Sequence, residues 1–330
     1  LKRAIVIGGG GSKGAYAVGI MKRYFEIGRK YDIIIGTSTG ALIAPLIASE
    51  NIDALIEGYT SINHSDIFNI NPFKIKKTKN GIHKWSINKL AVIYNRYILR
   101  QASFGSTKNL RYKTIPKFFT YEEYEKVLEN GKDLCVCVSN ATLDVSEVKN
   151  IKEYGYDRFC DWMWASTCAP PVMSVPTIDE YEYIDGAITK PVPIDEAIIR
   201  GADEIDVIIL DTKYPSINKI EKMRSDTQLQ LRTNAMLMDR LLKYNINLAN
   251  LVDLANKNIK INFHYTEKNL TNNSLIFDKD SMTKWLDLGY NYAVDNKKES
   301  YVLLGNLNKY IKINKRHRLL TNKKFRFDFD

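Results

Sequence analysis

Apolar residues along this chain fall into short runs of two kinds, divided by glycines. Arg3-Ala4-Ile5-Val6-Ile7 is continuous and of strand length, which predicts a strand buried on both faces. From Ala15 to Ile27 the apolar positions recur at helical spacing, and Gly28 is placed to cap the end. Tyr31-Asp32-Ile33-Ile34-Ile35 is a second strand-like run. Strand, helix and strand in so short a stretch form a βαβ unit, so the two strands are expected to be parallel. Ala41-Leu42-Ile43-Ala44 then opens a helical stretch, and Asp53–Tyr59 is a further helix after a break near Asn51.

Later runs obey the same grammar. Lys132–Val138 and Glu204–Leu210 are expected as buried strands, and Ile259, Ile261 and Phe263 alternate as in a strand. Trp162–Cys168 is expected as a short helix stopped by Pro170-Pro171. Asp211–Tyr244 is expected to be mostly helical. Leu229, Leu231, Met236, Met238, Leu241 and Leu242 there form a candidate core-facing stripe. Phe277-Asp278 to Gly289-Tyr290 has the pattern of a capped helix.

The two breaks after the first strands carry candidate chemistry. Gly36-Thr37-Ser38-Thr39-Gly40 is a G-x-S-x-G motif between a strand and a helix, the context of a nucleophile elbow. Ser38 then stands at a helix N-terminus, where the dipole and free N–H groups favour negative charge. The earlier loop, Gly8 through Gly14, supports two readings. Gly9-Gly10-Gly11-Ser12-Lys13-Gly14 fits the dinucleotide fingerprint G-x-G-x-x-G. That fingerprint wants a carboxylate at the end of the second strand, where this chain has Gly36-Thr37-Ser38; Asp32 is at the strand's beginning. The second reading is an oxyanion hole. Both loops leave the carboxyl ends of neighbouring parallel strands, so one can bring the nucleophile and the other the anion-stabilising donors. Tyr183-Ile184-Asp185-Gly186-Ala187 is, taken alone, a hairpin-turn signal.

Composition adds a docking surface. Hydrophobic and charged contents of 45% and 26% are ordinary, but the net charge is +10 with a pI near 9.1. The charge is uneven. Residues 67–121 contain no Asp or Glu, yet hold Lys74, Lys76, Lys77, Lys79, Lys84, Lys89, Arg96, Arg100, Lys108, Arg111, Lys113 and Lys117, interleaved with aromatics such as Phe73, Trp85, Tyr94, Tyr97 and Tyr112. Basic heads beside apolar insertion suit an anionic membrane surface. Nucleic acid would use similar residues, but the ester-chemistry loops favour lipid, and no nucleic-acid partner is expected. A second basic stretch, 309–330, closes the chain. No apolar run approaches the roughly 20 residues that span a bilayer, and no signal-peptide pattern opens the sequence. The expected location is therefore cytoplasmic or peripheral to a membrane. The four cysteines have no metal-ligand spacing and are expected as buried free thiols; Cys135 and Cys137 should share one strand face.

The ordered set of motifs resembles the patatin-like phospholipase family: Gly-Gly-Gly-x-Lys-Gly after the first strand, Gly-x-Ser-x-Gly after the second, then Asp-Gly-Ala. Ala165-Ser166-Thr167-Cys168-Ala169-Pro170 also looks like that family's pattern. The resemblance implies an α/β fold with a central, mostly parallel sheet flanked by helices in three layers. It implies a Ser-Asp dyad with Ser38 as nucleophile and Asp185 as base. It places the oxyanion hole in the glycine loop, at Gly9, Gly10, Gly11 and Ser12, with Lys13, Gly14, Gly36, Gly40 and Gly186 supporting the motifs. It implies phospholipid or other lipid esters as substrate, without a metal or other cofactor. One departure is Gly8, where the family often has Asp. On this reading 1–212 is the catalytic domain, with 67–121 as an insertion, and 213–330 a mostly helical region packed on it. The oligomeric state is not legible.

Two other readings compete. One is a non-catalytic lipid- or nucleotide-binding module on the same scaffold. The other is a Ser-Asp-His triad. Only His264 and His317 follow Asp185, His264 on the expected polar face of a strand and His317 in a basic run; His64 and His83 read as surface residues.

Overall fold

The computed structural model describes residues 1–77, 83–213, 229–230, 232–233, 236–237, 240–241, 243, 259–271 and 273–303. The chain begins with β1 (Arg3–Ile7), α1 (Gly14–Glu26), β2 (Ile33–Thr37), α2 (Thr39–Ala48), α3 (Ile52–Ser61) and α4 (His64–Ile67). A hairpin comes next, β3 (Phe73–Lys77) with β4 (His83–Ile87), then α5 (Lys89–Ile93), which widens into a π-helical turn over Tyr94–Ile98. After it come α6 (Ile115–Phe118), α7 (Tyr121–Glu129), β5 (Asp133–Asn140), β6 (Val145–Asn150) and α8 (Tyr156–Thr167). The remaining elements are β7 (Thr177–Ile178), β8 (Tyr181–Asp185), α9 (Ile194–Ile199), β9 (Glu204–Ile209), β10 (Ile259–Tyr265), α10 (Lys279–Val294) and β11 (Glu299–Leu303).

Among the described residues the main sheet has nine strands in the order β11-β10-β9-β1-β2-β5-β8-β7, with β6 also on β5. Strands β10, β9, β1, β2 and β5 are mutually parallel. Alternation assigns the two faces. Ile5, Ile7, Ile34, Leu134 and Val136 enter one core with α1, α2 and α8, while Ala4, Val6, Ile33, Ile35, Cys135 and Cys137 enter the other with α9. Strands buried on both faces explain why these runs are continuously apolar rather than alternating. The fold is α/β, a mostly parallel central sheet with helices on both sides. All four cysteines are free and buried.

The second strand starts at Ile33, two residues later than its sequence pattern suggests, and Tyr31 before it joins a buried polar network. Its hydroxyl donates to Asp206 at 2.7 Å, and Arg29 reaches the same carboxylate at 2.6 Å. His264 belongs to this network and not to a polar outer face. It is fully buried, with Nε2 at 3.3 Å from the Tyr24 hydroxyl and 3.5 Å from Asp206. His64 is also not a surface residue. It is half-buried, stacks on Phe68 and accepts the Phe277 N–H. The side chain of His83, and His317, lie outside the described residues.

Among the described residues after 212, two strands stand beside the helical ones. Strands β10 and β11 extend the central sheet itself. Helix α10 packs on α1 so closely that a Cβ at Gly19 would overlap the Leu286 carbonyl, and one at Gly289 the Tyr16 carbonyl. Leu229 and Met236 are exposed and Leu241 is half-buried, so they do not form a core-facing stripe; Leu231, Met238 and Leu242 lie outside the described residues, as does the tail 309–330. No helix among the described residues is long and apolar enough to cross a membrane.

Candidate active site

The register of β5 brings Ser38 and Asp185 together. Cys137 is paired with Thr37, the last residue of β2, and the next residue, Val138, with Asp185, the last of β8. Both stretches of β5 also pair with β6 on the other edge. Strands β2 and β8 therefore lie end to end along one edge of β5, running toward each other, and their final residues meet. Asp185-Gly186 is not a hairpin turn. The β7–β8 hairpin turns at Asp179-Glu180, both with positive φ, and Asp185 closes its strand at the sheet's centre.

Ser38 sits on the sharp turn between β2 and α2 with φ 56° and ψ −124°, a conformation that side chains other than glycine's rarely adopt. Two glycines make this turn sterically feasible. A Cβ on Gly36 would overlap the Gly40 carbonyl, and one on Gly40 the Ile7 carbonyl. The Ser38 N–H donates to Ser166 Oγ at 2.9 Å, and that hydroxyl donates to the Cys137 carbonyl at 2.6 Å. Ser166, on α8, thus ties the turn to β5. Nothing in its local spacing marks this role.

The Ser38 hydroxyl donates to Asp185 Oδ2 at 2.6 Å. Asp185 Oδ1 accepts the Ala187 N–H at 2.8 Å, so both carboxylate oxygens are engaged. The Asp185 backbone is fixed too, its N–H donating to the Cys168 carbonyl and its carbonyl accepting from Ser139 Oγ. Gly186 packs where a Cβ would overlap the Cys137 carbonyl. Asp185 is only 4% exposed, and burial pushes its carboxyl up to about 6, with the hydrogen bonds from Ser38 and Ala187 opposing the rise. Such a group accepts a proton more readily than a solvated carboxylate does.

The glycine loop lies against this pair. A Cβ on Gly9 would stand 3.2 Å from Ser38 Cβ and 3.7 Å from its Oγ. The N–H groups of Gly9, Gly10 and Gly11 have no partner among the described residues. Ser12 differs from its sequence expectation, because its N–H and its hydroxyl both reach the Ser274 carbonyl, at 2.8 and 2.9 Å. With that N–H already donated, Ser12 clamps the loop to the 273–277 segment. Gly14 fits beneath Thr39 and Tyr59, whose hydroxyls are hydrogen-bonded to each other. Lys13 lies at the rim, 3.7 Å from Asp211.

Ser38 and Asp185 open onto a cavity of about 340 Å³. Its wall is mainly apolar: Leu42 and Leu46 from α2, Leu55 from α3, Ile115 and Phe118 from α6, Met163 from α8, Met173, Leu275 and Phe277. These residues are far apart in sequence, and their spacing marks them only as core or as aromatics of the basic block.

The site thus joins a mostly parallel α/β sheet, a serine on a strained strand–helix turn, a buried carboxylate beside it and an apolar cavity in front of them. The patatin-like phospholipase model matches residues 5–198, more than half of the chain, and the chain belongs to that family of lipid acyl hydrolases. Among solved structures, that of VipD from Legionella pneumophila is similar at 15% identity and a TM-score of 0.48, covering 91% of this chain and 68% of that one. No curated protein matches the sequence.

Proposed function

We propose that this chain is a phospholipase A-type serine hydrolase that cleaves acyl esters of glycerophospholipids through Ser38 and Asp185. The observation that carries the reading is the 2.6 Å hydrogen bond from Ser38 Oγ to a buried Asp185 at the mouth of an apolar cavity. The acyl chain enters the cavity and its carbonyl carbon meets Ser38 Oγ. As the C–O bond forms, the hydroxyl proton passes to Asp185 Oδ2, and the oxyanion takes hydrogen bonds from the glycine loop at Gly9, Gly10 and Gly11. Collapse of the intermediate breaks the bond to the leaving alcohol, which takes the proton back from Asp185. Water then attacks the acyl-serine, again giving its proton to Asp185. That proton returns to Ser38 Oγ as the fatty acid leaves. No histidine is required, and His264 is committed elsewhere, to Tyr24 and Asp206. The surface that meets the substrate is an anionic membrane, by virtue of the acid-free block 67–121.

Covalent labelling with a fluorophosphonate, read by intact mass, tests the reading. Wild type should take one adduct, Ser38→Ala none, and Asp185→Asn should label far more slowly. Folded wild type that takes no adduct and leaves every acyl ester intact, with vesicles present, would point instead to a binding module.

A further inference from the structure

Helix α5 and its continuation are built inside out. Leu90, Ile93, Tyr94, Tyr97 and Ile98 recur at the i, i+3, i+4, i+7, i+8 spacing that normally faces a core. Here they face water. Leu90 and Tyr97 are each 74% exposed and Ile98 66%. The buried residue of this stretch is the polar Asn95, whose amide donates to the carbonyls of Ser103, at 2.8 Å, and Gly105, at 3.3 Å. Arg100, with φ 52°, ends the helix. The helix is therefore held to the protein by a polar anchor and offers its apolar stripe outward. An apolar surface this continuous is unusual on a soluble protein and marks a contact.

Charge identifies the contact. Lys89, Arg96 and Arg100 rim the stripe, are exposed, and have no ion-pair partner among the described residues. The adjoining hairpin turns Lys74 and Lys76 outward opposite buried Phe73. Basic heads that stay in the headgroup layer while apolar and tyrosine side chains enter the acyl boundary match an interfacial helix. A protein partner for so uniformly basic a rim would need a matching acidic face, whereas an anionic bilayer supplies it everywhere.

From this stripe and its rim we infer that the Lys89–Leu99 helix inserts into anionic lipid surfaces as the chain's membrane anchor. The anchor is coupled to the site through the loop that holds Asn95. The Phe104 and Gly105 N–H groups donate to the Pro171 and Val172 carbonyls, and the Thr107 N–H to Ser174 Oγ. Ala169 and Met173 of that same segment line the cavity. Insertion thus brings a cavity wall to the bilayer. The inference takes its choice of partner from the lipid-substrate reading but is tested apart from it.

The test is cosedimentation of the full chain with vesicles of phosphatidylglycerol and phosphatidylcholine, or of phosphatidylcholine alone, at about 0.05 M and about 0.5 M salt. Wild type should pellet with the anionic vesicles and retain part of that binding at high salt. The Ile93→Ser, Tyr97→Ser, Ile98→Ser triple variant should lose binding by about tenfold or more at both salts. Arg96→Glu with Arg100→Glu should lose it mainly at low salt. All changed side chains are exposed, so the melting temperature should stay at the wild-type value. Wild type that ignores both vesicle types, a triple variant that binds as wild type, or one whose melting temperature collapses with its binding overturns the inference. So does a dimer formed through this face in place of vesicle binding. A chain that pellets through this helix but never labels at Ser38 keeps the anchor and removes the catalytic proposal. A chain that labels but does not pellet does the reverse.

Discussion

At the scale of single residues, Asp185 carries opposed consequences for activity and stability. Its carboxyl is shifted upward, to about 6, chiefly by burial. The proposed mechanism needs it ionised, so kcat/KM on a soluble ester should rise with pH through a limb near 6. For stability the sign is reversed. A carboxyl whose folded value lies above its unfolded value favours the native state at low pH, and that contribution disappears as pH rises through the folded value. At pH 8 the folded protein therefore bears the cost of an ionised buried group. Asp185→Asn removes that charge while keeping the shape. It should cut turnover by about a thousandfold or more, yet raise the unfolding free energy read from urea melts at pH 8 by on the order of 1–3 kcal/mol. Titrating both variants across pH 4–9, with turnover and urea melts on the same samples, checks both halves. Unchanged stability would mean that Asp185 is less desolvated than its 4% exposure indicates.

At the scale of elements, the site depends on three chain segments held at one point. Helix α8 contributes through Ser166, whose hydroxyl bridges the Ser38 N–H and the Cys137 carbonyl. In the proposed mechanism it touches no reacting atom and acts as a positioning residue. Ser166→Ala removes the bridge and leaves two buried backbone groups unpaired. The expected result is a kcat reduced by about tenfold with KM nearly unchanged, because the angle of the proposed nucleophile Ser38, and not the proposed acyl cavity, is disturbed. Ser166→Thr, which keeps the hydroxyl, should recover part of the loss. A fall in stability with kcat intact would reduce Ser166 to a structural tie.

At the scale of the whole molecule, the cavity is a joint product of the family region and the C-terminal part of the chain. Residues from α2, α3, α6 and α8 make most of the wall, but Leu275 and Phe277 lie beyond 5–198, and Ser274 clamps the glycine loop through Ser12. Leu55, fully buried on α3, stands in that wall. Leu55→Trp should shorten the cavity and shift preference toward shorter acyl chains. Its kcat/KM should fall about tenfold or more on long-chain esters and much less on butyrate. Uniform loss across chain lengths would mean that the cavity does not hold the acyl group.

The elements beside the site were legible because local rules produce them. Continuous apolar runs read as strands buried on both faces, and β1, β5 and β9 lie where those runs are. Glycines on both sides of Ser38 read as a turn too tight for side chains, and Gly36 and Gly40 pack against backbone there. Periodicity failed where solvent and core exchange roles. The stripe at Leu229 and Met236 has core spacing but is exposed. Asp185-Gly186 has turn chemistry, and only the β5 register shows that it ends a strand facing another strand's end. His264 alternates as if outward, but Tyr24 of α1 and Tyr292 of α10 cover that face of the sheet and bury it. Hydrophobic pattern and turn chemistry act over a few residues, so the sequence by itself determined the βαβ start, the glycine loop and the strained serine. Pairing register, the depth of Asp185, the Ser166 bridge and the cavity are contacts between residues remote in the chain. Packing alone sets those distances, and the tertiary structure decided them.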